Sequence, residues 1–302
     1  LIEELWNSPK AAIAALAQEL TGKNILILSG QSTEEMRLFH DFALFTDKRV
    51  VDFPAWETLP SEQIAPSPDI VGERYQVLRE IENEPAIILS SLQACLQKLI
   101  PKNEFKHLNL LIQIGTPLNF DAFQQKLNEM GYQKNSIASD KGQYAVRGGI
   151  IDVYPVSSPD PFRIEFFGDE VASIRIYDPI GQRSIKPVER IDLTPALEME
   201  MLQNRQDLAT LFDYLGSNTI VILDDLLALE DRWATLKSTL GQETKSFMGL
   251  DELFKIIEPY QKLFLTDQPI EELSEIKMLD RSQKYYSETI IPIEFEAFGK
   301  TF

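Results

Sequence analysis

The chain reads YAVRGGIIDVYP at residues 144–155 and PFRIEFFGDEVASIRIYD at residues 161–178. Both stretches alternate apolar and polar side chains with a period of two, the pattern of strands that lay one face on a core. Gly168–Asp169 breaks the second stretch as a tight hairpin turn. GQYAVRG, GIIDVYP, FRIEFFG, EVASIRIYD and a short strand in VERIDLTP then follow one another with no helix between them. An amphipathic helix, NFDAFQQKLNEMGY (119–132), precedes them. Asn119 is its N-cap, Phe123, Leu127 and Met130 recur at helical spacing, and Gly131 is its stop. A helix followed by an antiparallel meander is a small α+β unit.

The chain on either side has another rhythm. SPKAAIAALAQEL (8–20) reads as a helix with Ser8 as N-cap and Pro9 in the first turn. NILILSG (24–30), VVDF (50–53) and PAIILSS (85–91) read as strands, and TEEMRLFHDFALF (33–45), IVGERYQVLREI (70–81) and LQACLQKLI (92–100) as helices. After the meander, EMEMLQNRQDLATLFDYLG (198–216) reads as a helix, NTIVILDD (218–225) as a buried strand, LLALEDRWATLKSTL (226–240) as a helix and YQKLFLTD (260–267) as a strand. Such alternation predicts a parallel sheet with helices on its faces. The expected fold class is therefore α/β: a parallel-sheet domain in two halves, 1–111 and 195–302, interrupted at 112–194 by an inserted α+β domain of antiparallel sheet plus helix.

Composition supports a separate insert. The 302 residues are 44% hydrophobic and carry a net charge of −18. Residues 115–190 hold ten acidic and nine basic side chains, so nearly all the negative charge lies outside them. A chain this acidic is repelled by nucleic-acid phosphates. One cysteine, Cys95, excludes a disulfide framework and fits a reducing cytoplasm. No apolar run reaches the roughly 18 residues that span a bilayer, so no membrane is expected. LIEELWNSPK at the start lacks the basic and apolar regions of a signal peptide. The first residue is Leu, which points to a piece of a longer chain.

Signatures of chemistry are sparse. No G-x-x-x-x-G-K-[ST] phosphate loop occurs; Gly22–Lys23 precedes the first strand, where such a loop would follow one. LILSGQST (26–33) has the strand-to-helix placement but a single glycine and no lysine. IVILDD (220–225) ends in acids like a magnesium-binding strand; without a phosphate loop, Asp224 or Asp225 reads as a helix cap. His40, His107 and Cys95 are too few for a structural zinc site. No G-x-S-x-G elbow appears. The expectation is no catalytic residue, no cofactor and no metal. Of Trp6, Trp56 and Trp233, Trp56 in the Pro-rich loop reads as a core anchor of that loop.

Phe167 is the anomaly. Alternation sends Phe162, Ile164 and Phe166 to one face and Arg163, Glu165 and Phe167 to the other. Either that sheet is covered on both sides, or a bulge before Gly168 resets the alternation, or Phe167 is an exposed ring beside Arg163 and Arg147, the makings of a binding hot spot. Sequence alone leaves these readings open.

FPAWETLPSEQIAPSPDIVGERYQVL (53–78), followed at its spacing by GQYAVRGGIIDVYP and FRIEFFGDEVASIRIYDPIGQRS, resembles the N-terminal region of the bacterial transcription-repair coupling factor family, a region also similar to UvrB. UvrB carries a phosphate-loop lysine near its start and this chain does not, which selects the coupling factors. The resemblance implies a degenerate UvrB- or helicase-like domain without a nucleotide site, and an insert that binds UvrA through Arg147, Arg163 and Phe167. It also implies that the longer protein contacts RNA polymerase and double-stranded DNA through domains outside these 302 residues, that a C-terminal domain masks the UvrA-binding face until a stalled polymerase is engaged, and that this piece, lacking the mask, binds UvrA constitutively. The rival reading is a UvrB-like nucleotide- or DNA-binding domain of an NTPase.

Overall fold

Apolar runs too uniform for a one-sided sheet become the centre of a sheet covered on both faces. The computed structural model describes residues 2, 5, 8–30, 38–59, 62, 64–203, 205–240 and 245–266. Strands β1 (Asn24–Ser29), β2 (Val50–Phe53), β3 (Ile87–Ser91), β12 (Thr219–Asp224) and β13 (Gln261–Leu265) form one parallel sheet in the order β13-β12-β1-β3-β2. In β1, Ile25 and Ile27 join a core with Ala11, Ala14 and Phe42 on one face. Leu26 and Leu28 join the larger core on the other, with Trp56, Tyr75, Phe212 and Leu229.

Between the two halves the chain builds a second sheet in the order β10-β9-β8-β7-β6-β5. Its strands are β5 (Gln133–Lys134), β6 (Gln143–Arg147), β7 (Ile150–Tyr154), β8 (Phe162–Phe167), β9 (Glu170–Asp178) and β10 (Arg183–Pro187). The helix Phe120–Glu129 lays Phe123 and Leu127 on its inner face, against Ile151, Val153, Ile164, Val171 and Ile174. Asn119 caps that helix by accepting the Ala122 amide proton at 2.9 Å. The chain leaves through β4 (Leu110–Gln113) and returns through β11 (Arg190–Leu193), and these two pair antiparallel.

Several elements differ from the sequence reading. The Ser8 hydroxyl makes no capping bond to the first helix, Pro9–Thr21; the Ser8 carbonyl starts its hydrogen bonding instead. The helix read over 92–100 stops at Leu96, because Leu96, Lys98 and Leu99 bond their backbones to Met248, Ser246 and Ala209. The helix read over 198–216 is two, Met199–Gln203 and Leu211–Leu215. Ala209 and Leu99 exchange backbone bonds of 2.8 Å in the gap, and Asp213 accepts from the Thr210 amide to open the second helix. β5 runs parallel to β6, so the meander is not wholly antiparallel. Two helices, Lys102–Leu108 and Leu250–Ile257, and strand β10 were not anticipated. Trp6, residues 33–37 of the second helix and Gln31–Thr33 of LILSGQST lie outside the described residues.

The insert is fastened to the parallel-sheet scaffold by a buried polar junction. Residues 54–59, the helix Pro68–Glu80 and the returning segment 194–198 meet there. Arg74 and Glu198 are wholly buried and form a two-point ion pair, Nε to Oε2 at 2.7 Å and Nη2 to Oε1 at 3.2 Å. Arg74 also donates to the Pro54 carbonyl at 2.7 Å and to Gln97 Oε1 at 3.1 Å, and its guanidinium lies over the rings of Phe53 and Trp56. The Trp56 indole N–H donates to Glu198 at 2.7 Å. A buried charge is tolerated only when its partners are this complete. Gly72 allows the close approach: a Cβ there would lie 1.9 Å from the Val156 carbonyl oxygen of the insert.

Candidate partner-binding surface

β8 decides which aromatic faces out. Its register against β9 shifts between Glu165 and Phe166, so that Glu165 faces Ser173 and Phe166 faces Val171. The extra residue is therefore Ala172, on β9, and β8 keeps its alternation unbroken. Phe166 turns inward, with its ring edge-on to Phe120 at 5.1 Å between centroids. Phe167 turns outward and is 85% exposed. A bulge does exist here, but on the partner strand, where it leaves Phe167 on the outer face.

Arg163 shares that face and behaves differently. Across the β7–β8 pairing it stands opposite Asp152. It donates from Nε to Oδ1 at 2.7 Å and from Nη2 to Oδ2 at 2.8 Å, the parallel two-bond geometry that suits a guanidinium and a carboxylate. Asp152 is almost fully buried, and the Arg163 side chain is only 15% exposed. The guanidinium lies 5.1 Å from the Tyr177 ring centroid, and its Nη1 donates to the Gln182 carbonyl at 3.3 Å. The hydrogen bond to Asp152 raises the Arg163 pKa against the opposing effect of burial. Burial foremost, then the Asp152 charge, raises that of Tyr177, whose hydroxyl donates to the Ala138 carbonyl. The resemblance led to the expectation of three comparable contact residues; Arg163 makes these bonds within the insert and keeps 15% of its side chain exposed.

Arg147 is exposed at the end of β6. Its Nη1 donates to Gln182 Oε1 at 2.6 Å and its Nη2 to the Ser136 carbonyl at 3.2 Å. Gln182, at a left-handed φ of 51° in the β9–β10 turn, thus receives Arg147 on its side chain and Arg163 on its backbone. Ile180, two residues earlier in the same turn, is 95% exposed. Glu165 accepts from Ser173 at 2.6 Å and from Arg175 at 2.8 Å, so this acid too is paired within the insert. No local pattern in the sequence singles out Asp152, Tyr177, Ile180 or Gln182. Asp152 and Arg163 both fall on polar positions of neighbouring strands, but only the register shows that they face each other.

At the carboxyl ends of the parallel strands, where open α/β sheets bind ligands, the described ends of β1 and β12 make internal contacts. Lys10 Nζ lies 2.6 Å from Asp224 Oδ1, and both side chains are largely buried. Asp225 caps the helix Leu226–Leu240, accepting the amide protons of Leu227 and Ala228 at 3.1 and 3.2 Å. At Gly30 a Cβ would lie 2.8 Å from the Ala228 backbone, so that helix sits directly on the end of β1. Among the described residues no His, Cys, Asp and Glu cluster is placed to hold a metal ion. His40 and His107 are both exposed and lie on different helices. Cys95 is fully buried, which pushes its thiol up to about 12 and leaves it unreactive. No helix among the described residues is long and apolar enough to cross a membrane.

Comparison with known proteins coincides with this geometry. Residues 110–199, from the first residue of β4 to the start of the helix after Glu198, match the family model described as UvrB interaction domain. The transcription-repair-coupling factor of Escherichia coli strain K12 is 29% identical over 199 residues, which are 66% of this chain and 17% of that protein. The one from Bacillus subtilis strain 168 is 34% identical over 188 residues, 62% of this chain and 16% of that protein. The one from Haemophilus influenzae is 32% identical over 198 residues, 64% of this chain and 17% of that protein. This chain resembles bacterial transcription-repair-coupling factors. It spans about a sixth of the length of those relatives. Arg147, Arg163 and Phe167 fall within residues 110–199, as do Asp152, Ile180, Gln182 and Glu198.

Proposed function

We propose that this chain is the UvrA-recruiting part of a transcription-repair-coupling factor, acting by protein contact and carrying no nucleotide chemistry of its own. The observation that carries the reading is Phe167, a large ring held outward by strand alternation on a segment that matches the UvrB interaction domain. Exposed apolar rings beside a guanidinium are the anchors that dominate protein interfaces. Arg147 supplies that guanidinium, splayed between two loops with part of its fork free for a partner carboxylate or carbonyl. Arg163 stabilises the face from beneath. Recruitment then works by mimicry: the insert presents to UvrA the kind of surface that UvrB presents, and UvrA docks on either.

The scaffold supports the non-enzymatic part of the reading. The acid that would hold magnesium, Asp224, is paired with Lys10, and the helix after β12 closes on Gly30. In the longer protein, contacts with RNA polymerase and double-stranded DNA would belong to regions beyond this chain, as would the masking of the insert. The test is capture of purified UvrA on this chain, with UvrB as competitor. The expected result is retention of UvrA and its displacement by excess UvrB. UvrA that passes through unretained would overturn the recruitment reading, and UvrA retained regardless of UvrB would overturn the mimicry.

A further inference from the structure

Phe167 and Ile180 are the two most exposed large apolar side chains among the described residues, at 85% and 95%. Both belong to the insert, and the turn that carries Ile180 is bonded through Gln182 to Arg147 and Arg163. An isolated exposed isoleucine needs no explanation. This one sits on a turn whose conformation is fixed from several sides. Asp178 Oδ1 accepts the Ile180 amide proton at 2.9 Å. Gln182, at its left-handed φ, is held by Arg147 on its side chain and by Arg163 on its carbonyl. Arg163 is itself locked by Asp152 and by the Tyr177 ring. A turn that served only to connect β9 to β10 would not require two guanidiniums. Rigid display of an apolar side chain lowers the ordering entropy that an interface must otherwise overcome.

Resting on the recruitment reading above, we propose that the Pro179–Gln182 turn is a further contact element of the same surface. Ile180 is a second apolar anchor in addition to Phe167, carried on the turn that is bonded to Arg147, and Gln182 is a positioning residue that aims Arg147. The partner surface that fits has two apolar depressions with a carboxylate between or beside them. Arg147 brings positive charge to this face, on which Asp152 and Glu165 are paired with Arg163 and Arg175; Glu170 stands opposite Phe167, and Asp178 accepts the Ile180 amide proton.

The experiment is a calorimetric titration of purified UvrA with the parent chain and with Ile180→Ser, Gln182→Ala, Phe167→Ala, Arg147→Ala and Leu20→Ser. Leu20, 75% exposed on the scaffold helix Pro9–Thr21, serves as an apolar truncation outside the surface. Ile180→Ser is expected to weaken binding about tenfold or more, the value of burying one aliphatic side chain, with no change in melting temperature. Gln182→Ala is expected to weaken binding by a similar factor and to speed amide exchange over 180–182. Gln182→Glu, which still accepts from Arg147, is expected to restore both. Leu20→Ser is expected to bind like the parent. If Phe167→Ala loses affinity while Ile180→Ser binds within twofold of the parent, the turn is not a contact and this inference fails, with the recruitment reading intact. If Phe167→Ala and Arg147→Ala both bind like the parent, the recruitment reading itself fails. If Leu20→Ser loses as much as Ile180→Ser, the effect is not site-specific and the inference again falls.

Discussion

Arg74 and Arg147 are both guanidiniums set among polar acceptors, and they end in opposite environments. Arg74 lies at the junction of scaffold and insert with no exposure, making four hydrogen bonds to Glu198, Gln97 and the Pro54 carbonyl, with two aromatic rings packed against its faces. Arg147 lies on the outer face of the insert, held by two bonds and open to water. Arg163 stands between them, with the internal bonding of the first and the location of the second. An arginine beside an aromatic is thus no signature by itself. What separates an internal clamp from a contact residue is whether a carboxylate inside the molecule has already taken the fork. At the junction Glu198 has; beneath the surface Asp152 has; at Arg147 none has.

The comparison is sharpened first by removing an internal carboxylate. Glu198→Ala leaves the Arg74 charge buried without its partner and is expected to destabilise the chain by about 3–5 kcal/mol in chemical denaturation. Replacing Arg74 and Glu198 together by Met and Leu is expected to recover most of that loss, because the penalty lies in the unpaired charge. A double variant as unstable as the single one would show that the junction depends on the ions themselves. Gly72→Ala comes next: its Cβ would intrude on the Val156 carbonyl, and about 2–3 kcal/mol of stability should be lost as the helix Pro68–Glu80 is pushed off the insert. Unchanged stability would mean that this contact yields readily.

Arg163→Ala tests the intermediate case. Asp152 is left buried with its two strongest bonds gone, at about 2 kcal/mol of stability, and UvrA binding is expected to fall with it because Gln182 loses its anchor. A variant with full stability and reduced binding would return Arg163 to the contact residues. The smallest expected effect belongs to the scaffold. Millimolar ATP with magnesium should leave the melting temperature where it is, since a ligand stabilises only in proportion to its occupancy. A clear upward shift would favour the rival nucleotide-binding reading.

Much of this architecture was legible in the sequence because it follows from periodicity. The uniformly apolar NILILS and TIVILD are the central strands β1 and β12. The alternating FRIEFF is the one-sided strand β8, and Asn119 caps the helix it was expected to cap. The fates of Arg163 and Arg74 were not legible. Each is decided by a carboxylate distant along the chain, Asp152 eleven residues away and Glu198 124 residues away. Register and chain return, not local pattern, bring those groups together. Breaks such as the one at Ala209 escaped for the same reason: a backbone bond to Leu99 interrupts a run whose own periodicity is helical. The reading of Phe167 as exposed came from alternation together with family resemblance, and it depended on the bulge falling at Ala172 of β9 and leaving β8 straight.

The central claim is that Phe167 is displayed for a partner and contributes nothing to the fold. The most direct measurement is the UvrA affinity of Phe167→Ala together with its melting temperature. The account expects a loss of affinity of roughly thirtyfold, the effect of truncating an interface anchor by about 2 kcal/mol, at an unchanged melting temperature. Affinity equal to the parent's, or a fall in melting temperature large enough to explain the lost binding, would contradict it.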